Sequence, residues 1–175
     1  VERRNKMEKQ MLENKVAIIT GASSGIGQAI AQLFAEEGAS VVLIGRNEKN
    51  LNDTVNGIKA KGQKAIGVLA DVTSKDDIAK VFDETIQTFG DLDILVNNAG
   101  ISDEYAIDET TDEWLNHVLD VNLNAPIRYA REALKYFMPK NDGVIINITS
   151  VNGDRPIGGA AYTSSKGALN TLTKN

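Results

Sequence analysis

The sequence predicts an α/β fold, a doubly wound parallel sheet with helices on both faces. Three observations predict it. Five short apolar runs recur along the chain, stretches of helical spacing separate them, and the first run passes straight into a glycine-rich turn. Apolar runs this continuous suit strands buried on both faces, and their alternation with helices makes neighbouring strands parallel.

The elements follow in order. Val16–Ile19 is the first strand, and a helix is predicted over about 25–37, where Ile26, Ile30, Leu33 and Phe34 recur at helix spacing. Val41–Ile44 is the second strand, followed by a helical stretch at about 48–61. Ala65–Leu69 is the third; the helix after it, about 75–89, carries Ile78, Val81, Phe82, Thr85 and Ile86 and stops near Gly90. Leu92–Val96 is the fourth strand. A long helix is predicted over about 111–138, with Trp114, Leu115, Val118 and Leu119 before Asn122, and Ile127, Ala130, Leu134 and Phe137 after it. Pro126 is expected to break or bend this helix. Val144–Ile148 is the fifth strand.

Composition sets the bounds. The 175 residues suit one domain, and 42% hydrophobic with 25% charged residues is ordinary globular usage. A net charge of −5 argues against a nucleic-acid surface. With no cysteine there are no disulfides or thiolate-bound metals, and with one histidine, His117, no histidine metal cluster; no metal site is expected. No apolar run reaches the ~18 residues of a membrane span. The N-terminus is charged and has no apolar signal segment, so a cytoplasmic protein is expected, with residues 1–13 as a flexible arm and 14–175 as the domain.

The glycine turn carries the first chemistry. Thr20-Gly21-Ala-Ser23-Ser24-Gly25-Ile26-Gly27 joins strand one to a helix. Gly21 allows a tight turn, Gly25 lets backbone N–H groups approach a pyrophosphate, and Gly27 lets helix and strand pack closely. The helix start offers free N–H donors and a positive dipole end to phosphate. An acid at the end of strand two would bind the ribose 2′-hydroxyl of NAD, but Leu43-Ile44-Gly45-Arg46-Asn47 has none. Arg46 stands there instead, and a guanidinium suits the 2′-phosphate of NADP, so NADP(H) is expected over NAD(H).

Tyr162 and Lys166 lie four residues apart, one turn on a helix. An ammonium beside a phenol favours the ionised form and makes the phenol's proton usable near neutral pH. Asp71 follows strand three, Asn97-Asn98-Ala99-Gly100 follows strand four, Asn122 interrupts the long helix, and Ser150 follows strand five. In this order, together with the glycine turn, these motifs make the chain from about residue 13 onward closely resemble the short-chain dehydrogenase/reductase family, and in particular 3-oxoacyl-[acyl carrier protein] reductase-like members.

The resemblance implies a Rossmann-type sheet of order 3-2-1-4-5 and hydride transfer between a nicotinamide and a carbonyl/secondary alcohol pair. It implies a catalytic set of Asn122, Ser150, Tyr162 and Lys166. Tyr162 would be the general acid in reduction, and Lys166 would lower the phenol's pKa and hold the nicotinamide ribose. Ser150 would bind the substrate oxygen, and Asn122 would position a water leading from Lys166 to solvent. The implied cofactor-binding set is Gly21, Ser23, Ser24, Gly25, Ile26, Gly27, Arg46, Asp71, Val72, Asn98, Ala99, Gly100, Tyr162 and Lys166. Asp71 would contact the adenine, and Asn98 to Gly100 would line its ribose. Ser150 stands twelve residues before Tyr162, one fewer than in many relatives, so Thr149 stays open as the active hydroxyl. The partners implied are a small carbonyl or alcohol substrate and, for a full-length protein, further copies of the same chain.

His117 reads as a partly exposed helix residue, and Trp114 as packing more than as a substrate platform. Relatives continue past the Tyr-Lys helix, so the domain is expected to be incomplete at its C-terminus, later strands being absent. Val144–Ile148 is then expected to be an apolar edge strand. The alternative function is therefore a nucleotide-binding fragment without turnover.

Overall fold

The computed structural model describes residues 10–102, 105–155 and 157–174. In chain order the elements are β1 (Val16–Thr20), α1 (Gly25–Glu36), β2 (Ser40–Gly45), α2 (Glu48–Lys59), β3 (Ala65–Leu69), α3 (Lys75–Phe89), β4 (Ile94–Asn97), α4 (Asp112–Leu119), a π-helical turn (Asp120–Asn124), α5 (Ala125–Lys140), β5 (Val144–Asn147), a 3-10 turn (Val151–Gly153) and α6 (Ala160–Leu172). The five strands form one parallel sheet, ordered β3-β2-β1-β4-β5. This is the doubly wound Rossmann-type order expected from the sequence.

Strand alternation divides the core between the two faces. Ala17 and Ile19 of β1, Val41 and Leu43 of β2, and Val96 of β4 point to one side, where Ala31 and Ala35 of α1 and Leu51, Val55 and Ile58 of α2 cover them. Ile18, Val42, Ile44 and Leu95 point to the other, under Val81 and Phe82 of α3 and Tyr129, Ala133 and Phe137 of α5. Both faces are dry, so β1, β2 and β4 read as unbroken apolar runs. Helix ends are set by local chemistry. Asn47, Ser74 and Thr111 accept N-capping bonds from Asn50, Asp77 and Trp114, and Gly90 in the left-handed region (φ +81°) closes α3.

The helix expected over 111–138 is two helices joined by the π-helical turn. Pro126 has no N–H to give the carbonyl of Asn122, four residues earlier, and the ladder widens here. Ala125 N donates instead to the carbonyl of Asp120, five residues back. The expected arm is also corrected in part. Residues 1–9 lie outside the described residues, but 10–13 are docked: Leu12 N donates to the Glu37 carbonyl at 2.9 Å, Gln10 Nε2 to the Glu36 carbonyl at 2.9 Å, and Leu12 packs on the core.

At the N-terminal ends of the strands, the buried Asp93 carboxylate accepts from Val16 N at 2.9 Å, Lys140 Nζ at 3.0 Å and Lys15 Nζ at 3.4 Å. It ties β1 to α5 at the end of the sheet away from the glycine turn. Among the described residues β5 pairs with β4 alone, and its alternate residues Val144 and Ile146 are exposed.

Candidate active site and nucleotide cleft

The loops at the C-terminal ends of β1, β2, β3 and β4 meet over the point where strand order reverses, between β1 and β4. They enclose a cleft of about 470 Å³. From the predicted cofactor set, Gly21, Ser23, Ser24, Gly25 and Ile26 line it from the glycine turn. Arg46 lines it from the end of β2, Asp71 and Val72 from the end of β3, and Asn98, Ala99 and Gly100 from the end of β4. Gly27 sits behind the wall: a Cβ there would fall 2.4 Å from the Gly21 carbonyl oxygen and 2.5 Å from Asn98 Nδ2. Gly21 has φ +65°, and its Cβ would meet Ala99 Cα at 2.9 Å. Gly25 (φ +56°) has open space beside it.

Ser24 caps α1 without a side-chain bond, and the first turn of the helix holds no acid. The N–H groups of Gly25, Ile26 and Gly27 therefore have no intrahelical acceptor and remain for an anion. Arg46 is two-thirds exposed, with one guanidinium nitrogen 3.9 Å from Asp71 Oδ2. The Thr73 backbone N–H, then the Thr73 hydroxyl and Arg46, hold the Asp71 carboxyl below the usual carboxylate range against the opposing effect of burial.

Thr20, outside the predicted set, holds two walls of the cleft together. Its buried hydroxyl accepts from Asn98 N at 2.9 Å and Ala99 N at 3.0 Å, and lies 3.3 Å from the Val96 carbonyl. Asn98 Nδ2 returns bonds to the carbonyls of Thr20 at 2.9 Å and Gly21 at 3.2 Å. Ile44, Gly45, Asn47, Ala70, Ile101 and Val121 also line the cleft. Each of them adjoins a predicted residue or the end of a predicted strand, Val121 standing next to Asn122. Val121 comes from the π-turn, distant in sequence from the rest of the lining.

Tyr162 and Lys166 both sit on α6, with Lys166 Nζ 5.8 Å from the centre of the Tyr162 ring. Lys166 is 4% exposed, and Nζ donates to the Ile148 carbonyl at 2.8 Å. Desolvation pushes its pKa below the ordinary lysine value. Its other two N–H bonds find no protein acceptor among the described residues, so the ammonium keeps donors for a ligand. Ser150 is half-buried and caps the 3-10 turn, its hydroxyl accepting from Asn152 N at 3.2 Å.

Asn122 is fully buried in the π-turn. Its Oδ1 accepts from Ile101 N at 2.9 Å, and its Nδ2 donates to the Ile101 carbonyl at 2.8 Å and to Ser165 Oγ at 3.1 Å. A Cβ on Gly100 would lie 3.3 Å from Asn122 Oδ1 and 3.5 Å from Lys166 Nζ. Gly100 is thus where the cleft reaches the buried ammonium. Ser150, Tyr162, Lys166 and Asn122 do not line the cleft itself. Away from it, Trp114 packs edge-on to Tyr105, ring centres 5.8 Å apart, and lies 5.7 Å from the exposed His117 ring.

Fold and cleft together define a doubly wound α/β protein with a glycine-rich turn lining a cleft at its switch point and a buried lysine beside it. The chain belongs to the short chain dehydrogenase family, whose model matches residues 15–175. It is 42% identical over 168 residues to 3beta-hydroxysteroid dehydrogenase 2 of Eggerthella lenta, an alignment covering 94% of this chain and 65% of that protein. An uncharacterized oxidoreductase of Staphylococcus epidermidis is 38% identical over 165 residues, covering 94% of this chain and 70% of that one. Among solved structures, a short chain dehydrogenase from Mycobacterium smegmatis matches with TM-score 0.89 and 34% identity, over 94% of this chain and 70% of that chain. An NAD+-bound xylitol dehydrogenase matches with TM-score 0.89 and 30% identity, over 94% of this chain and 64% of that chain. The chain thus spans about two thirds of the length of these relatives.

Proposed function

We propose that this chain belongs to an NADP(H)-dependent oxidoreductase that interconverts a carbonyl and a secondary alcohol. One observation carries the reading: Gly100 lines the cleft and also stands against Asn122 Oδ1 and Lys166 Nζ. A dinucleotide laid along the cleft would bring its nicotinamide end to the side chains able to move a proton.

In this reading the N–H groups at the start of α1 and the turn Gly21, Ser23, Ser24, Gly25, Ile26 hold the pyrophosphate, with Gly27 keeping the turn close to α1. Arg46 pairs with the 2′-phosphate, Asp71 and Val72 face the adenine, and Asn98 to Gly100 border its ribose. The xylitol dehydrogenase of the same fold holds NAD+, so the preference for NADP(H) rests on Arg46. The bound nicotinamide supplies or accepts the hydride. Tyr162 gives the proton during reduction and takes it during oxidation, Ser150 binds the reacting oxygen, and Lys166 binds the ribose with its spare donors. Asn122 holds the wall between Lys166 and the cleft. A cytoplasmic setting suits the cysteine-free sequence, and self-association suits the exposed Leu134 and Met138 of α5.

Titration with NADPH and NADH, followed by nicotinamide fluorescence, tests the cofactor. NADPH should bind more tightly, and Arg46→Ala should erase the difference; equal affinities in the unaltered chain refute the preference. Turnover is tested with a 3-hydroxysteroid and a polyol, the substrate types for which two relatives are named. Tyr162→Phe should keep cofactor affinity and lose about 100-fold or more in turnover. Unchanged turnover would show that the proton comes from elsewhere.

A further inference from the structure

Ser165 lies between Tyr162 and Lys166 on α6 and is fully buried. Its hydroxyl donates to the Tyr162 carbonyl at 2.7 Å and accepts from Asn122 Nδ2 at 3.1 Å. The same Asn122 amide clasps Ile101, accepting from its N–H and donating to its carbonyl. Ile101 and Gly100 line the nucleotide cleft. One unbroken run of hydrogen bonds therefore leads from the cleft wall, through Asn122 and Ser165, to the helical turn that carries Tyr162 and Lys166. Both N–H bonds of the Asn122 amide are used, and Asn122 and Ser165 are closed to water. Movement at Ile101 must then be passed on or must leave a buried polar group unpaired, which is the costlier outcome.

We infer that Ser165 is a positioning residue: it ties the proton-transfer turn of α6 to an occupied nucleotide cleft. This rests on the nucleotide reading above. The chain of contacts gives the coupling a physical path with named members, each open to removal.

Hydrogen exchange with adenosine 2′,5′-bisphosphate tests it. This probe fills the adenine end of the cleft and has no nicotinamide with which to touch Tyr162 or Lys166. In the unaltered chain the probe should slow amide exchange in residues 98–102 and also in residues 162–169, the latter roughly 2–10-fold, the protection one net hydrogen bond supplies. Ser165→Ala should keep the slowing at 98–102 and lose it at 162–169. Ser165→Thr, which keeps the hydroxyl, should restore it.

A merely structural serine would raise α6 exchange equally with and without the probe, and that result overturns the inference. So does equal protection of 162–169 in Ser165→Ala, or an unprotected α6 beside a protected 98–102 in the unaltered chain, or a Ser165→Thr chain that behaves like Ser165→Ala. If neither region is protected, the nucleotide reading fails and the coupling falls with it.

Discussion

Replacing Thr20 with valine should loosen the fold and the cleft together. Valine keeps the β-branched shape of a residue only 3% exposed, so the change removes the hydroxyl and little else. That oxygen accepts the N–H groups of both Asn98 and Ala99. Leaving a buried donor unpaired costs about 1–3 kcal/mol. Asn98 and Ala99 are half-buried, so water can partly reach their N–H groups and the lower part of that range applies to each. Together they give a loss of about 2–4 kcal/mol. For a chain of 175 residues, each kcal/mol moves the melting temperature by about 2–4 °C, so a drop of roughly 4–16 °C is expected by circular dichroism. Thr20→Ser keeps the hydroxyl and should lose much less. Nucleotide affinity should fall with Thr20→Val, because Asn98 and Ala99 form one wall of the cleft. A Thr20→Val melting temperature within about 1 °C of the unaltered chain, or a Thr20→Ser variant as unstable as Thr20→Val, would refute the reasoning.

Three further outcomes can be measured. Burial pushes the Asp93 carboxyl up, but the Val16 N–H, Lys140 and Lys15 outweigh it and hold it below the usual carboxylate range. A carboxylate lowered in the folded state stabilises above its unfolded value near ~3.9 and loses that stability as pH falls through the folded value. Acid unfolding followed by fluorescence should therefore be displaced to higher pH in Asp93→Asn; identical acid curves would contradict the assignment. Lys166 has the opposite sign. Its lowered pKa means the folded state sheds the proton first, so stability rises as pH climbs from the folded value toward the ordinary ~10.4. Lys166→Met should lack that alkaline gain in urea unfolding, and a persisting gain would place it on another group. Gly27→Ala puts a methyl 2.4 Å from the Gly21 carbonyl oxygen. It should weaken nucleotide binding by about tenfold or more while leaving the distant Asp93 network intact, and unchanged affinity would show that the turn can yield.

Much of this arrangement could be read from residue order. The unbroken apolar runs Val16–Ile19 and Val41–Ile44 announce strands covered on both faces, since a half-exposed strand would alternate. The glycine turn announces itself because backbone that must approach closely tolerates no Cβ, and Gly21 and Gly27 leave no room for one. Other contacts leave no such trace. Lys166 is held by a main-chain carbonyl, Ile148, and a carbonyl looks the same in every residue. Ser165 meets Asn122 across 43 positions, and serine beside lysine is ordinary in a helix. Pro126 signalled a break in the long helix, but not that Asn122 within that break would be buried and meet Ser165 of α6.

Residue order alone determined the parallel α/β sheet, the glycine turn after the first strand and the Tyr162–Lys166 spacing, because each is written in patterns of residues a few positions apart. Tertiary structure alone decided that Thr20 joins the first turn to the Asn98 loop, that Lys166 loses water, and that Asn122, Ser165 and Ile101 share one hydrogen-bonded path. Those features come from which faces are brought together and sealed from solvent. Burial and pairing are properties of the packed chain, and no short stretch of sequence carries them.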